Sequence, residues 1–408
     1  MTTLIVIIMA FFWVLLTFYS IMTVAGIWFR LAYRDAPELD AYPSVALLIP
    51  AHNEGIVLED TLRAMARLQY KGKLDIYVLD DSSKDDTAEI AQEFANVFSR
   101  IHYIPVPPGS PSGKSRVLNY GLSISDSEYF VVYDADNEPE SDALEKLVKA
   151  AETTQNAAGA VGYVKTKNED TNTLTRMIAL EFQVFQLLMQ CGRWTIFKLG
   201  SLAGTNMLLR RSVLEELGGY DVLALAEDAE LTVRLTAKGY LLPVVPTSRT
   251  WEQEPEQVKT FIKQRTRWLT GNIYLLEKSL LDLTHWRGKT FFLSLQHVLT
   301  YLVFVGVLLF SDVFFIMSLA GYELPNMEAP LLILWFMSYI VYTSQLLSAL
   351  VVDRNVSLKN VLYVFVMYFT YAQLFIILLI RSFSTYVWSR IRGTTIAWDK
   401  TKRFKGIG

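Results

Sequence analysis

Residues 127–140 read SEYFVVYDADNEPE. An apolar and aromatic run, Tyr129 to Tyr133, leads straight into Asp134, Ala135 and Asp136. A short run with no polar interruption suits a strand buried on both faces, as in a parallel sheet covered by helices. Charged carboxylates do not belong inside such a strand, so they mark its end. Asp134 and Asp136 are two apart, and side chains at i and i+2 of a strand share a face. Two carboxylates on one face repel each other unless a cation lies between them. Hard oxygen ligands favour Mg2+ or Mn2+, with phosphate oxygens completing the shell. The alternative for a bare DAD is a solvated turn.

The same pattern extends on both sides of this stretch. SVALLIPAHNE (44–54) is a strand followed by a polar loop, and LDIYVLDDSS (74–83) is a strand ending in carboxylates. Between and after them, EDTLRAMARLQ (59–69), DDTAEIAQEFANVF (85–98) and GKSRVLNYGLSIS (113–125) have helical spacing. Strands alternating with helices predict a parallel α/β sheet, whose ligands bind beyond the carboxyl ends of the strands. Asp80, Asp81, Asp134 and Asp136 stand at those ends. Ser82, Ser83, Asp85 and Asp86 suit capping of the next helix. That leaves Asp80, whose carboxylate suits a nucleobase edge. PVPPGSPSG (105–113) is a loop, and Pro108 stands where a Walker A loop needs glycine. Lys114 is therefore either a solvated lysine or a phosphate ligand. In LALAEDAELTVRLTAKGY (223–240), Glu227 and Asp228 open a helix. Acids are favoured there in any case, and a base at that place needs reach to an acceptor hydroxyl.

QRTRW (264–268) lies just ahead of an apolar tract. On a helix Gln264, Arg267 and Trp268 share a face at i, i+3 and i+4, and Arg265 points elsewhere. An interface anchor and a phosphate-binding guanidinium beside a sugar-stacking indole both fit.

The chain has 408 residues, a formal net charge of −3 and 52% hydrophobic residues, with 9 Trp, 21 Tyr and 23 Phe. Near-neutral charge argues against nucleic-acid binding. A single cysteine, Cys191, excludes an intrachain disulfide and a thiolate metal site, and four histidines make a His-rich zinc site a poor fit. Residues 2–29, 291–311, 329–352 and 360–380 carry no charge and are apolar. Each reaches the roughly 20 residues that span a bilayer. The first segment lacks a basic start and a clear cleavage site, so it is expected to stay as an anchor. Arg30 and Arg34 follow it, which puts the next domain in the cytoplasm. The loop 353–359, with Arg354 and Lys359, is expected inside, and the loop 320–330 outside. Three later spans would then carry the tail outside, yet residues 381–408 hold seven Lys/Arg against Asp399. Either one apolar segment is interfacial or re-entrant, or the tail breaks the rule. Residues 177–200 and 271–287 read as amphipathic helices on the membrane surface. For the first, a buried helix of the soluble part is the alternative.

The order PAHNE, DDSS, DAD, AED, QRTRW resembles the family 2 glycosyltransferases, in particular the membrane-embedded processive synthases of poly-N-acetylglucosamine, hyaluronan, chitin oligosaccharides and cellulose. The resemblance covers about residues 43–285. It implies a cytoplasmic α/β GT-A domain (43–270) inserted between an N-terminal transmembrane helix (1–30) and a region of about three spans (291–385), followed by a basic tail (386–408). It implies a multi-pass protein of the cell membrane, a UDP-sugar donor, Mg2+ or Mn2+, a glycan acceptor and an accessory export subunit. Ala51, Asn53 and Glu54 would line the nucleotide pocket, Asp80 would meet the uracil, and Lys114 the diphosphate. Asp134 would face the donor and Asp136 would bind the metal. Asp228 would be the base. Gln264, Arg265 and Arg267 would hold the diphosphate. Trp268, Glu227, Gly204 and Thr205 would lie at the acceptor, with Asn206 nearby. Ala226 stands where many relatives have threonine. A glycolipid synthase with a lipid acceptor is the rival reading, and a transporter or scaffold is a weaker one. QRTRW, with Arg265, leans towards GlcNAc or glucose.

Overall fold

The structure is a computed structural model that describes residues 2–281 and 328–392, with a few isolated positions between 288 and 321. The expected span 291–311, most of the loop 320–330, the stretch 282–287 and the tail beyond residue 392 lie outside the described residues.

An apolar helix, α1 (Thr2–Ala32), comes first. Strands and helices then alternate as β1 (Val45–Ala51), α2 (Gly55–Met65), β2 (Leu74–Asp80), α3 (Thr87–Val97), β3 (Ile101–Pro105), α4 (Lys114–Ser123) and β4 (Tyr129–Val132). The apolar runs form strands because helices cover both sheet faces. Val45, Leu47 and Ile49 of β1 pack with Leu58 and Leu62 of α2. Ala46 and Leu48 face the other way, towards Val117 and Leu118 of α4. β4 divides likewise, with Tyr129 and Val131 on one side and Phe130 and Val132 on the other. Next come β5 (Glu138–Pro139), α5 (Ala143–Thr153) and β6 (Gly159–Thr166).

The chain then leaves the sheet through α6 (Thr173–Phe182), a π-helix (Gln183–Met189) and α7 (Gln190–Phe197). It returns as β7 (Met207–Arg210), α8 (Arg211–Glu216), α9 (Glu227–Ala237) and β8 (Val244–Glu252). The eight strands form one sheet in the order β3-β2-β1-β4-β7-β6-β8-β5. The expectation of a parallel sheet holds for β3-β2-β1-β4 and for the pair β6-β8, but β7 runs antiparallel to both β4 and β6, and β5 antiparallel to β8. The helical excursion explains the reversal. It delivers the chain back at the carboxyl edge, so β7 can only run away from it. Residues 204–206 therefore reach the same edge as the ends of β1, β2 and β4.

One local expectation is corrected. β4 ends at Val132, and Asp134 and Asp136 stand in the turn beyond it. Strand alternation does not govern a turn, so the two do not share a face by that rule. Asp134 lines a cavity, and Asp136 is buried behind it.

A long helix, α10 (Val258–Leu281), carries QRTRW and continues without a break through residue 270. It is followed among the described residues by α11 (Glu328–Val352), α12 (Leu358–Met367) and α13 (Tyr371–Arg392). Three helices there are long and apolar enough to cross a membrane: Met9–Ala32, Trp335–Val352 and Tyr371–Arg392. α1 packs on the π-helix and α7 through backbone contact. A Cβ on Gly26 would lie 2.2 Å from the Leu188 carbonyl oxygen, and one on Gly192 would lie 2.3 Å from that of Met22. The turn after α11 grips the sheet domain, where Asp353 accepts from Lys165 (2.9 Å) and Tyr163 (3.2 Å). Asn360 Oδ1 accepts from Arg176 (2.7 Å). α13 runs parallel to α10. Tyr371 donates to Glu181 beside its start (2.6 Å), Ser382 to the Thr266 carbonyl (3.3 Å), and Arg390 to Glu277 near its end (2.6 Å).

Candidate active site

A cavity of about 490 Å³ lies at the carboxyl edge of the sheet, between the sheet domain and the helices α1, α6–α7 and α10. Ala51 and Glu54 reach it from the end of β1, Lys114 from the start of α4, and Asp134 from the turn after β4. Gly204 comes from the loop before β7, Glu227 and Asp228 from the start of α9, and Gln264, Arg267 and Trp268 from α10.

The centre of this arrangement is Lys114. Its ammonium donates to Asp134 Oδ1 (2.5 Å) and to the Gly204 carbonyl (2.7 Å), and Glu227 Oε1 is 3.5 Å away. Burial alone would lower the lysine's pKa. Asp134, Glu227 and Asp228 outweigh burial and hold it above its ordinary value, so Lys114 stays charged. Asp228 behaves in the opposite way. Burial first, and then the charge of Glu227, pushes its carboxyl up to about 7, against the Ala229 N–H and Lys114, which pull it down. A carboxylate poised near neutrality can accept a proton during a reaction and release it afterwards. Gly204 must be glycine here. Its φ of +78° is strained for a residue with a side chain, while the space itself would admit a Cβ, 3.5 Å from Asp228 Oδ2 and 3.7 Å from Lys114 Nζ.

Several other expected residues hold the walls rather than line the cavity. Asn53 has φ 53° and ties the β1 loop to the β2 loop, accepting from the Lys84 N–H (2.7 Å) and donating its own N–H to Ser83 (2.8 Å). Asp80 accepts from the Ser83 N–H and from the Tyr103 hydroxyl, both at 3.0 Å. Its neighbour Asp81 is the one that lines the cavity, paired with Arg116. Thr205 accepts the Asp134 N–H (3.2 Å), which fixes the turn after β4. Asn206 is fully buried between Tyr133 (2.9 Å) and the Ser248 carbonyl (2.9 Å).

The division within QRTRW is the one helical arithmetic predicts. Gln264, Arg267 and Trp268 face the cavity, and Arg265 does not line it. Arg265 is buried against Glu181 of α6 (2.7 Å), with its guanidinium 4.2 Å from the centre of the Trp268 ring. It braces the indole from behind. Gly271, one turn further on, explains Ala226. A Cβ on Gly271 would lie 2.8 Å from that of Ala226 and 3.2 Å from its backbone nitrogen, so α10 and the start of α9 meet without a spare methyl group. Gly271→Ala is expected to cut kcat about tenfold, because a misplacement of about 1 Å in a catalytic group can cost about a hundredfold and the contact with Ala226 asks for a smaller shift. Steady-state kinetics beside a melting curve checks this, since unchanged kcat with a lowered melting temperature would leave only a packing role.

Sequence reasoning missed the wall opposite the sheet. Phe18, Tyr19 and Met22 of α1, and Phe185, Gln186 and Met189 of the π-helix, line the same cavity. A signal was present: Gln183, Gln186 and Gln190 recur at helical spacing in an otherwise apolar stretch. The Gln186 and Gln264 side chains are both buried, and neither Oε1 has a hydrogen-bond partner. Such an amide costs about 1–3 kcal/mol if left bare, so it marks a place where a ligand supplies the partner.

Among the described residues no three His, Cys, Asp or Glu side chains are grouped to hold a metal alone. The donor set nevertheless fits a divalent cation that shares its ligands with a diphosphate. Glu54, Asp81, Asp134, Glu227, Asp228 and Glu252 line the cavity against Lys114, Arg193 and Arg267. That acidic excess would repel a bare diphosphate, and its oxygens suit Mg2+ or Mn2+.

Three comparisons agree with this geometry. The profile described as glycosyltransferase-like family 2 matches residues 43–271. The chain is 36% identical over 412 residues to the probable glycosyltransferase YdaM of Bacillus subtilis (strain 168), covering 98% of each. It is 23% identical over 263 residues to a poly-β-1,6-N-acetyl-D-glucosamine synthase of Staphylococcus aureus (strain COL), which is 64% of this chain and 62% of that one. Among solved structures, the mannosyltransferase PcManGT of Pyrobaculum calidifontis in complex with GDP-mannose and Mn2+ superposes with a TM-score of 0.55. The match covers 94% of this chain and 99% of that one at 17% identity, a likeness of fold. Its GT-A-like sheet, the profile match over more than half its length and a relative similar from end to end make this chain a member of the family 2 glycosyltransferases.

Proposed function

We propose that the protein moves a hexose or N-acetylhexosamine, GlcNAc or glucose in first place, from a UDP-sugar to a growing β-linked polysaccharide, with inversion. The observation that carries this reading is a single one: Asp228, pushed towards neutrality, shares one cavity with Gln264, Arg267 and Trp268. Asp228 takes the proton of an acceptor hydroxyl. The oxygen then attacks the anomeric carbon from the side opposite the diphosphate, and the bond to the departing phosphate oxygen breaks. An α-linked donor therefore yields a β-glycoside. Arg267 and Lys114 stand where negative charge develops on the leaving group, which is stabilisation aimed at the transition state. Asp134, which lines the cavity, would hold Mg2+ or Mn2+ together with the diphosphate, with Asp136 behind it in the same turn, and the cation would supply charge neutralisation at the leaving nucleotide. Ala51 and Glu54 border the nucleotide end, which Asn53 and Asp80 shape through the two loops they tie.

A lipid acceptor is the second reading, favoured by Phe18, Tyr19 and Met22 at the cavity's far wall. Purified full-length protein, given Mn2+ and radiolabelled UDP-GlcNAc or UDP-glucose, is expected to place label in high-mass glycan. Label in solvent-extractable lipid would overturn the acceptor assignment, and absence of UDP release from any sugar nucleotide would overturn the whole reading.

For the membrane, we read α1 and α11 as crossings, together with the expected span 291–311 that lies between them outside the described residues, and α13 as an interfacial helix. α13 is long enough to cross, but both of its ends are held by the catalytic side. Tyr371 meets Glu181, and Arg390 meets Glu277, whose neighbour Lys278 pairs with Glu230 of α9 (2.7 Å). This favours the interfacial solution to the charge conflict and puts the basic tail in the cytoplasm, with the catalytic domain. Cys191 is buried, its thiol pushed up to about 12, so it does not compete for label. A cysteine placed by Thr401→Cys is expected to react with an impermeant maleimide only in opened cells; labelling of intact cells would reverse the assignment.

A further inference from the structure

We infer that α1 and the π-helix Gln183–Met189 form a subsite for the acceptor sugar behind the reacting one, with Gln186 as its hydrogen-bonding residue. This deepens the reading above and rests on it: the far wall takes a glycan, not a lipid chain.

Two features of that wall decide between the occupants. Gln186 is 8% exposed and Gln264 is 4% exposed; both line the cavity, and neither carbonyl oxygen has a partner. They come from different helices, so two sides of the cavity each carry a glutamine whose amide oxygen lacks a partner. An amide offers one acceptor and two donors. A hydrocarbon tail satisfies none of them, and it would bury both glutamines against alkane at a cost. A pyranose satisfies them through its hydroxyl rim. Tyr19, Phe185 and Trp268 line the same space and offer flat surfaces to the C–H faces of a sugar. The apolar residues that favoured lipid are thus the other half of a carbohydrate site.

The backbone points the same way. A seven-residue π-helix is rare, and π-helical turns inside α-helices occur frequently at functional sites. This one contains no proline that would explain the irregularity. The close approach of Gly26 to the Leu188 carbonyl packs its far side directly against α1. Gln186 lies apart from Lys114, Asp134 and Asp228 in the chain and is bonded to none of them, so it can be changed without touching the reaction centre.

Gln186→Leu and Gln186→Asn test the inference in the purified full-length enzyme. The added acceptors are N-acetylglucosamine and glucose monosaccharides and their β-linked di- to tetrasaccharides. Gln186→Leu is expected to keep the donor KM and the slow release of UDP to water within about twofold, while the acceptor KM for oligosaccharides rises about tenfold or more and products shorten. The preserved donor KM certifies that the variant folds. Gln186→Asn, which keeps the amide, is expected to fall between Gln186→Leu and the parent. Unchanged oligosaccharide KM and product length in Gln186→Leu would overturn the subsite while leaving the glycosyltransferase reading standing. Faster transfer to an extractable lipid in Gln186→Leu would overturn it in favour of the hydrocarbon occupant. A parent enzyme that releases no UDP from any sugar nucleotide would overturn both.

Discussion

Asp228→Asn is expected to lower kcat by about 10²–10⁴-fold, the usual contribution of a positioned general base. The donor KM should stay within about twofold, because the substitution is nearly isosteric and removes no donor contact. The two acids at the start of α9 are not equivalent. Glu227 faces Lys114 at 3.5 Å, so its charge is already engaged. Asp228 is buried beside that negative charge and is pushed up to about 7. The base works in its deprotonated form. As pH falls below about 7, that fraction drops about tenfold per unit, so kcat in the parent is expected to show an acid limb with its midpoint near neutrality. The residual activity of Asp228→Asn should lack that limb. Ordinary turnover in the variant, or an unchanged limb, would move the base to another residue, with Glu227 first in line.

How much of this was legible in the sequence depended on how local each constraint is. The alternation of Val45, Leu47 and Ile49 with Ala46 and Leu48 places β1 between two helical layers by pattern alone. The same logic put carboxylates at the strand ends. It failed by one residue at Asp80 and Asp81, since a turn rather than the strand decides which of them looks outward, and Tyr103 on β3 claims Asp80. Helical arithmetic separated Arg265 from Gln264, Arg267 and Trp268, but could not name its partner, because Glu181 lies 84 positions away. Only the reversal of β7 brings Gly204 to Lys114, and only packing through Gly26 and Gly192 brings α1 to the cavity. Such long-range closures leave no periodicity to read. The glutamines of the π-helix, Gln183 and Gln186, and Gln190 at the start of α7 did leave one, visible once the question became why an apolar stretch keeps three amides.

Lys114→Met tests the electrostatics directly, and its expected effect is nearly as large. The lysine bridges the turn after β4, the loop before β7 and the start of α9 through Asp134, Gly204 and Glu227. Removing one partner of a buried ion pair leaves the other charge uncompensated, at roughly 3–5 kcal/mol. Asp134 keeps about a third of its side-chain surface exposed, so the loss here should fall at or below the lower end of that range. Kinetically the sign is fixed by the neighbours. The positive charge of Lys114 lowers the pKa of Asp228, so its loss raises that pKa further, and less of the base is ready at pH 7. The acid limb of kcat should move to higher pH, with activity at pH 7 reduced by at least about tenfold and partly regained in alkaline buffer. Lys114→Arg keeps the charge and should keep the midpoint close to that of the parent, even if its planar fork fits the three partners less well. A pH profile of Lys114→Met whose midpoint matches the parent would show that Lys114 supports the fold without tuning the base. A shifted midpoint with a preserved fold would tie the lysine to the proton transfer itself.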